Sequence, residues 1–484
     1  MNEHLEQLQP GLLWQHFRTF CATPRPSWHE EAILQKIEAW ADARGFAHER
    51  DDASNLRIRK PASRGHATAP GLVLQGHVDM VAEADAGVEH DFVTDAIDTV
   101  IDDGWLKARG TTLGADNGIG ACACLAILDE DDLEHGPIEV LMTVAEEVSL
   151  VGAGQLASNW LQGKLLLNLD TEEENEVTIG CAGGTNVSTH TQLTEQPLED
   201  GLAVLTIHVH GLSGGHSGMD INSGRGNANR LLARVLHTLL PHHPRLVHYA
   251  GGRMDNAITR AAQATIALPA DVVEQAAATL TQLQTTLRTE LAGIDDHVSI
   301  DHSHATAHKG LSAADSQRLI RLLQALPYGV ERMSLAAPGV VETSNNLGVL
   351  QLADGQFTAQ LMVRSLIDSA RDALADRILA AFELAGIPAQ QDKGYPGWTP
   401  NPESDLLKRF IQVHEHVTGH EPEVKVVHAG LECGLIGAKY PQMDMISFGP
   451  TIRGAHSPTE RVDLASVERF YSILRAMVSD LARL

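Results

Sequence analysis

Aromatic residues are scarce in this chain, 4% of 484, so the interior must be filled by Ala, Leu, Ile and Val rather than by stacked rings. Positive charge is also short: 36 Lys and Arg face 63 Asp and Glu, for a net charge of −27. That balance argues against nucleic acid or an anionic membrane surface as a partner. The five cysteines (Cys21, Cys122, Cys124, Cys181, Cys433) are odd in number and lack Cys-x-x-Cys spacing. Neither a disulfide framework nor a thiolate zinc site follows, and a reducing compartment, the cytoplasm, is expected. The opening Met-Asn-Glu-His-Leu-Glu-Gln-Leu has no basic and apolar leader pattern, and no apolar run reaches the roughly 20 residues that cross a bilayer. Low-complexity tracts are absent too. A soluble globular chain remains, too long for one ordinary core, so two or more domains are expected.

In chain order, Pro24-Arg-Pro26 ends a first amphipathic helix. Ser27-Trp-His-Glu30 reads as a capping box ahead of the stripe Ile33, Leu34, Ile37, Trp40, Ala41, closed by Gly45. Strands are expected at 46–49, 56–59, 71–75, 138–144 and 165–169, with a helix around 152–160. Strands alternating with helices point to an open α/β sheet, whose sites form at the carboxyl ends of strands. Past Cys181 the texture changes. Strands at 202–209, 264–268, 348–351 and 356–364, with helices at 229–239, 272–291 and 373–384, read as a separate α+β domain; its two passages suggest an internal duplication. After the turn-rich Gly394–Pro402 stretch, a helix at 406–417, strands at 424–427 and 443–448 and an amphipathic helix at 464–481 bring the first pattern back. The second domain therefore reads as inserted into the first.

The chemistry gathers at strand ends. Gly110-Thr-Thr-Leu-Gly-Ala-Asp116-Asn117-Gly118-Ile-Gly120 delivers one carboxylate to the start of a small-residue, apolar helix. By itself Asp116 reads as a helix cap. Its company argues otherwise: Gly76-His77-Val78-Asp79, Glu146-Glu147, Asp170 and Gly454-Ala-His456-Ser457-Pro458 each follow a buried-strand pattern. Two histidines and several carboxylates are the ligand set of a two-metal hydrolase. Asp79 can fix the tautomer of His77 from its second nitrogen. The adjacent Glu146 and Glu147 repel each other unless a cation or proton intervenes. Asp116, Glu147 and Asp170 with a hydroxide would cancel two divalent charges, and His77 and His456 would complete both shells. The run Glu172–Glu176 reads as a charged surface turn.

In the inserted domain Gly214-Gly-His216-Ser-Gly218 is as readily a plain turn as a ligand loop. Arg260 and Arg364 read as surface arginines by default, or as a bidentate clamp for a carboxylate. The loop Val427-His428-Ala-Gly430-Leu-Glu432-Cys-Gly434 suits a pocket wall.

These residues resemble the zinc aminoacylase/carboxypeptidase family of co-catalytic metallopeptidases. The resemblance is carried by Leu-Gln-Gly-His77-Val-Asp79-Met, by Lys-Ala-Arg-Gly-Thr-Thr-Leu-Gly-Ala-Asp116-Asn-Gly-Ile-Gly, by Ala-Gly-Leu-Glu432-Cys-Gly and by Ala-His456-Ser-Pro, and it covers nearly the whole chain. It implies an α/β catalytic domain with a central, mostly parallel sheet, residues 1–186 and 399–484, interrupted by an α+β lid domain, 187–398. It further implies two zinc ions, replaceable by cobalt or manganese: one on His77 and Asp170, the other on Glu147 and His456, with Asp116 bridging through a cis peptide to Asn117. Asp79 would orient His77, Glu146 would be the general base and His216 would stabilise the oxyanion. Asn256, Arg364, Gly430 and Glu432 would touch substrate, a small dipeptide; a homodimer is compatible. Another family activity on a different substrate, or a metal- or peptide-binding module without catalysis, are the alternatives. An intact Glu146 counts against the second.

Overall fold

The computed structural model describes residues 2–484, which form two compact units: residues 2–181, 398–426 and 431–484, and residues 182–397 with 427–430. In the first unit an eight-stranded sheet runs in the order Ala47–Arg50, Leu56–Lys60, Ile138–Thr143, Leu72–His77, Leu165–Asn168, Asp444–Ser447, Glu176–Cys181, Glu423–Val427. Its four central strands, 138–143, 72–77, 165–168 and 444–447, are parallel; those on the 47–60 side pair antiparallel. Strands 72–77 and 138–143 are buried at every position, and their mostly apolar residues suit a sheet covered on both faces.

Helix Ala115–Asp129 is buried from Ala115 to Leu128, and apolar residues on all its sides suit that position. Its glycines permit close contact: a Cβ at Gly120 would meet the carbonyl oxygen of Leu169. The first turn is irregular. Asp116 has φ −78° and ψ 113°, the Asp116–Asn117 peptide is cis, and the residue before the helix is a left-handed Gly114. Asp116 is therefore not a cap, and its side chain is turned away from its own helix end.

Three further expectations are revised. Ser27 makes no capping box, since the helix begins at Glu31 without a side-chain cap and the Ser27 hydroxyl is spent on Asp79. The helix expected at 152–160 is the single short stretch Val151–Gln155. A small antiparallel sheet, ordered Ile452–Arg453, Arg461–Asp463, Trp105–Ala108, Thr99–Asp102, was not expected. It matters because its 452–463 hairpin carries His456 at the tip.

The second unit is built on an antiparallel sheet: Ser299–Ala305, Leu202–His210, Ala262–Pro269, Arg245–Gly251, Val341–Ala353, Gln356–Ser365, Gly183–Gln192, Gln390–Gln391, with Gly329–Met333 also on strand 341–353. Helices Ala228–Thr238, Val273–Glu290, Ala313–Ala325 and Asp368–Leu384 bury their apolar stripes in its core. The strand expected at 348–351 is the middle of one spanning thirteen residues.

Candidate functional site

At the carboxyl ends of the parallel strands the first unit collects two histidines and five acids. Strand 72–77 ends in His77, strand 138–143 leads into Glu146 and Glu147, and strand 165–168 leads to Asp170. Ligand-type atoms group as His77, Asp116, Asp170; as His77, Glu146, Glu147; and as Asp116, Glu147, His456, within 4.8 Å of one another in each group. Asp116 belongs to both ends. Its Oδ1 lies 3.2 Å from His77 Nε2 and its Oδ2 lies 3.1 Å from His456 Nε2. His77 Nε2 is 3.6 Å from Asp170 Oδ1, and His456 Nε2 is 2.9 Å from Glu147 Oε2. His77 is 1% exposed, whereas His456 keeps more than half of its side chain open.

The electrostatics are those of a site short of positive charge. Burial by itself would lower the His77 pKa, but Asp170, Asp116 and Asp79 together hold it well above its ordinary value. Hydrogen bonds to Asp116 and Glu147 push His456 up to about 11. Burial raises Glu146 and Asp170 well above the carboxylate range, with neighbouring acids adding to the shift against the pull of His77. The Glu147 Oε1 and Asp170 Oδ1 atoms are buried without hydrogen-bond partners. Buried acids in this state are protonated, paired with a basic group or bound to a cation. Two imidazoles and three carboxylates, one with an oxygen facing each side, fit a pair of divalent ions.

A scaffold of buried polar groups fixes these ligands. Asp79 lies 3.3 Å from His77 Nδ1, accepts the Ser27 hydroxyl at 2.8 Å, and accepts the backbone N–H groups of Glu146 and Glu147 at 3.1 and 3.2 Å. One carboxylate thus orients the histidine and the Glu-Glu pair together. Glu30 accepts the N–H of Ala145 at 3.0 Å, supporting a residue held at φ 49°. Arg25 is 1% exposed and donates to the carbonyls of Val78, Asp79 and Gly114 at 2.9, 3.0 and 2.6 Å, tying the His77 strand end to the Asp116 loop. Sequence reasoning missed Ser27, Glu30 and Arg25 in these roles. The one signal was a lone arginine between two prolines.

Two acids depart from expectation. Glu432 was expected at the substrate, but it is 1% exposed and its Oε2 accepts from Gln75 at 2.5 Å and Thr143 at 2.8 Å. Its Oε1 is buried with no hydrogen-bond partner. Burial, only partly offset by His77, raises the Glu432 carboxyl to about 7. In the run read as a surface turn, Glu173, Glu174 and Glu176 do pair with Arg453, Arg469 and Lys425. Glu172 does not; it is half-buried, and burial with the charge of Asp116 raises it to about 7.

The second unit holds its own polar cluster. His216 Nδ1 accepts the N–H groups of Gly218 and Met219, both at 3.1 Å, so the proton of the neutral ring sits on Nε2. Burial, then the charge of Arg364, lowers the His216 pKa and keeps the ring neutral. Arg364 is 4% exposed; its Nε donates to Ser217 Oγ at 3.2 Å and its Nη1 to the Tyr395 hydroxyl at 2.9 Å. No carboxylate among the described residues lies within ion-pair distance of it. Asn256 presents its carbonyl to the Ser217 N–H at 2.8 Å. Gly430 ends a segment pinned by Ala182, whose N–H reaches the carbonyls of Val427 and Ala429. Arg260 is exposed.

Residues 73–480 match the sequence profile of peptidase family M20/M25/M40. The chain is 41% identical over 479 residues to the cytosol non-specific dipeptidase of Escherichia coli strain K12, covering 99% of each. It superposes on the crystal structure of an aminoacylhistidine dipeptidase from Vibrio alginolyticus with a TM-score of 0.93 and 43% identity, over 99% of this chain and 98% of that one. The aminopeptidase PepT from Bacillus cereus shares the fold at 14% identity, with a TM-score of 0.56 over 98% and 99% of the two chains. With a profile spanning most of its length and a relative of this identity end to end, the chain belongs to peptidase family M20/M25/M40 and is a metallopeptidase.

Proposed function

We propose that this chain is a dinuclear zinc dipeptidase that hydrolyses Xaa-His dipeptides, β-alanyl-histidine among them, in the cytoplasm. The observation that carries it is the divided Asp116 carboxylate, one oxygen toward His77 and the other toward His456. One zinc is assigned to His77 and Asp170, the other to Glu147 and His456, with Asp116 shared. When bound, the pair supplies Lewis acidity toward the scissile carbonyl and a water that loses its proton near neutral pH. Glu146 takes that proton as the water oxygen attacks the carbonyl carbon, and returns it to the departing amine nitrogen as the C–N bond breaks. His216 donates its Nε2–H to the carbonyl oxygen as negative charge develops there. Arg364 takes the substrate's free carboxylate, with Asn256 and Gly430 beside it.

The names of the two close relatives differ on breadth, one non-specific and one for aminoacyl-histidines, so substrate preference is the sharpest test. The metal-loaded protein is incubated with a panel of Xaa-His and other dipeptides, an amidated dipeptide and an N-acylated amino acid, and the released amines are quantified. Preference for C-terminal histidine with a free carboxylate is expected. Equal rates across all dipeptides would make the enzyme non-specific, and faster cleavage of the N-acylated amino acid would make it a deacylase. A chelator is expected to abolish activity, with zinc, cobalt or manganese restoring it; full activity in protein shown by elemental analysis to be metal-free would overturn the proposal.

A further inference from the structure

Glu460 lies four residues beyond His456, is 2% exposed and is in ion-pair contact with no basic residue among those described. Its two carboxylate oxygens are fully engaged by backbone. Oε2 accepts the N–H groups of Leu113 and Gly114 at 2.7 and 2.9 Å, and Oε1 accepts those of Ala115 and Asp116 at 2.7 and 3.1 Å. Four consecutive amides thus converge on one side chain that is 344 residues from Asp116 in the sequence. Strand 461–463, which follows Glu460 directly, pairs with strand 105–108, which leads into the 109–116 loop. A carboxylate buried without a cation is costly unless its lone pairs are filled, so this arrangement is a built feature. Among the described residues no other side chain holds these four amides.

We propose that Glu460 is the positioning residue that sets Asp116 against His456, and so makes the His456–Glu147–Asp116 metal position depend on it more than the His77–Asp170 position does. The inference rests on the two-metal reading. His456 is mostly open to solvent and stands at left-handed φ 62° on a hairpin tip; the pairing of strand 461–463 with 105–108 brings that hairpin beside the loop, and Glu460 is the side chain that holds the loop's backbone at Asp116. His77, by contrast, is buried on a central strand and oriented by Asp79. Loss of the strut therefore loosens one metal position while the other keeps its own supports.

The test uses Glu460→Gln and Glu460→Asp in the full chain. The Gln amide can accept from two of the four N–H groups but opposes the other two. Asp keeps the charge, brings no opposing donor and is too short to reach all four, so it carries the test should the Gln variant fail to fold. Stepwise zinc affinities are measured by chelator competition, alongside melting of the metal-free proteins. The expected result is a weaker second zinc, by on the order of 10–100-fold as for other supports of metal ligands, with the first affinity near wild type; the metal-free melting temperature is expected to fall in both variants, because buried backbone donors lose their acceptor. Unchanged affinities in both variants, or equal weakening of both zincs, would overturn the assignment. A wild-type chain that holds fewer than two ions would instead overturn the two-metal reading, and this inference with it.

Discussion

Glu432 sits on Gln75: its Oε2 accepts the Gln75 side-chain amide at 2.5 Å, joining the first residue of helix Glu432–Lys439 to the middle of the central parallel sheet. The bond opens a polar row across four strand ends. Gln75 accepts from Asn168, Asn168 accepts from Ser447, and Thr143 also donates to Glu432. Glu432→Ala would leave the Gln75 and Thr143 donors buried without that acceptor, at about 1–3 kcal/mol for each group left unpaired. Glu432→Gln keeps an oxygen in place for both. Urea unfolding of the metal-free variants is expected to show the Ala change as clearly the more destabilising. Equal losses would mean that charge, rather than these bonds, makes Glu432 matter.

What could be read from the chain follows from where each interaction lies. Leu72–Leu74, Val140–Met142 and Leu165–Leu167 are short apolar runs, so their strands and the polar residues past them stand out. Strand Val341–Ala353 begins with Glu342, Thr343, Ser344, Asn345 and Asn346, all buried. It shows no alternation because its polar side chains find partners far along the chain: Asn345 at Pro327 and Asn346 at Asp255 and Ala257 through backbone, Thr343 at Ser365 and Ser344 at His428 through side chains. Glu460 and Arg25 were illegible for the same reason: their partners are main-chain groups far along the chain, and main chain leaves no residue pattern. Ser27 misled, because its hydroxyl serves Asp79 instead of its own helix.

His428 gives a pH dependence with a definite sign. Its Nε2 bonds Ser344 Oγ at 2.8 Å, and burial, then the charge of Arg364, with a smaller contribution from His216, pushes its pKa down to about 3. The folded state therefore keeps the ring neutral where the unfolded chain, titrating near 6.5, takes up a proton. Its contribution is complete above pH 6.5 and is lost as pH falls toward 3, at up to about 1.4 kcal/mol per pH unit. Unfolding of wild type and His428→Asn between pH 7 and 4.5 is expected to show a shallower loss in the variant. Parallel curves would remove His428 from the acid sensitivity.

For His216 the two backbone donors on Nδ1 settle which nitrogen carries the proton, and the proposed role needs that proton on Nε2. His216→Ala is expected to lower turnover by roughly 100–1,000-fold, the usual effect of losing one oxyanion donor. Zinc content, measured by elemental analysis, is expected to stay at the wild-type level, because His216 is in none of the ligand groups. An unchanged turnover would return His216 to the standing of a turn residue.

Glu146 and Glu147 are neighbours in sequence, and both take their backbone position from Asp79, yet they face different partners. Glu147 Oε2 lies 2.9 Å from His456 Nε2, while Glu146 Oε2 comes no closer than 3.9 Å to His77 Nε2. Glu147→Gln removes a proposed ligand, so zinc content and activity are expected to fall together. Glu146→Gln keeps the shape and loses the base, so zinc and dipeptide are expected to bind while single-turnover rates collapse. That loss belongs in the rate constant, because the proton moves only along the reaction path. Metal analysis, dipeptide affinity and single-turnover rates on both variants decide between the two residues. Zinc lost from Glu146→Gln but kept in Glu147→Gln would exchange their roles, since the same charge is removed in each and only its position differs.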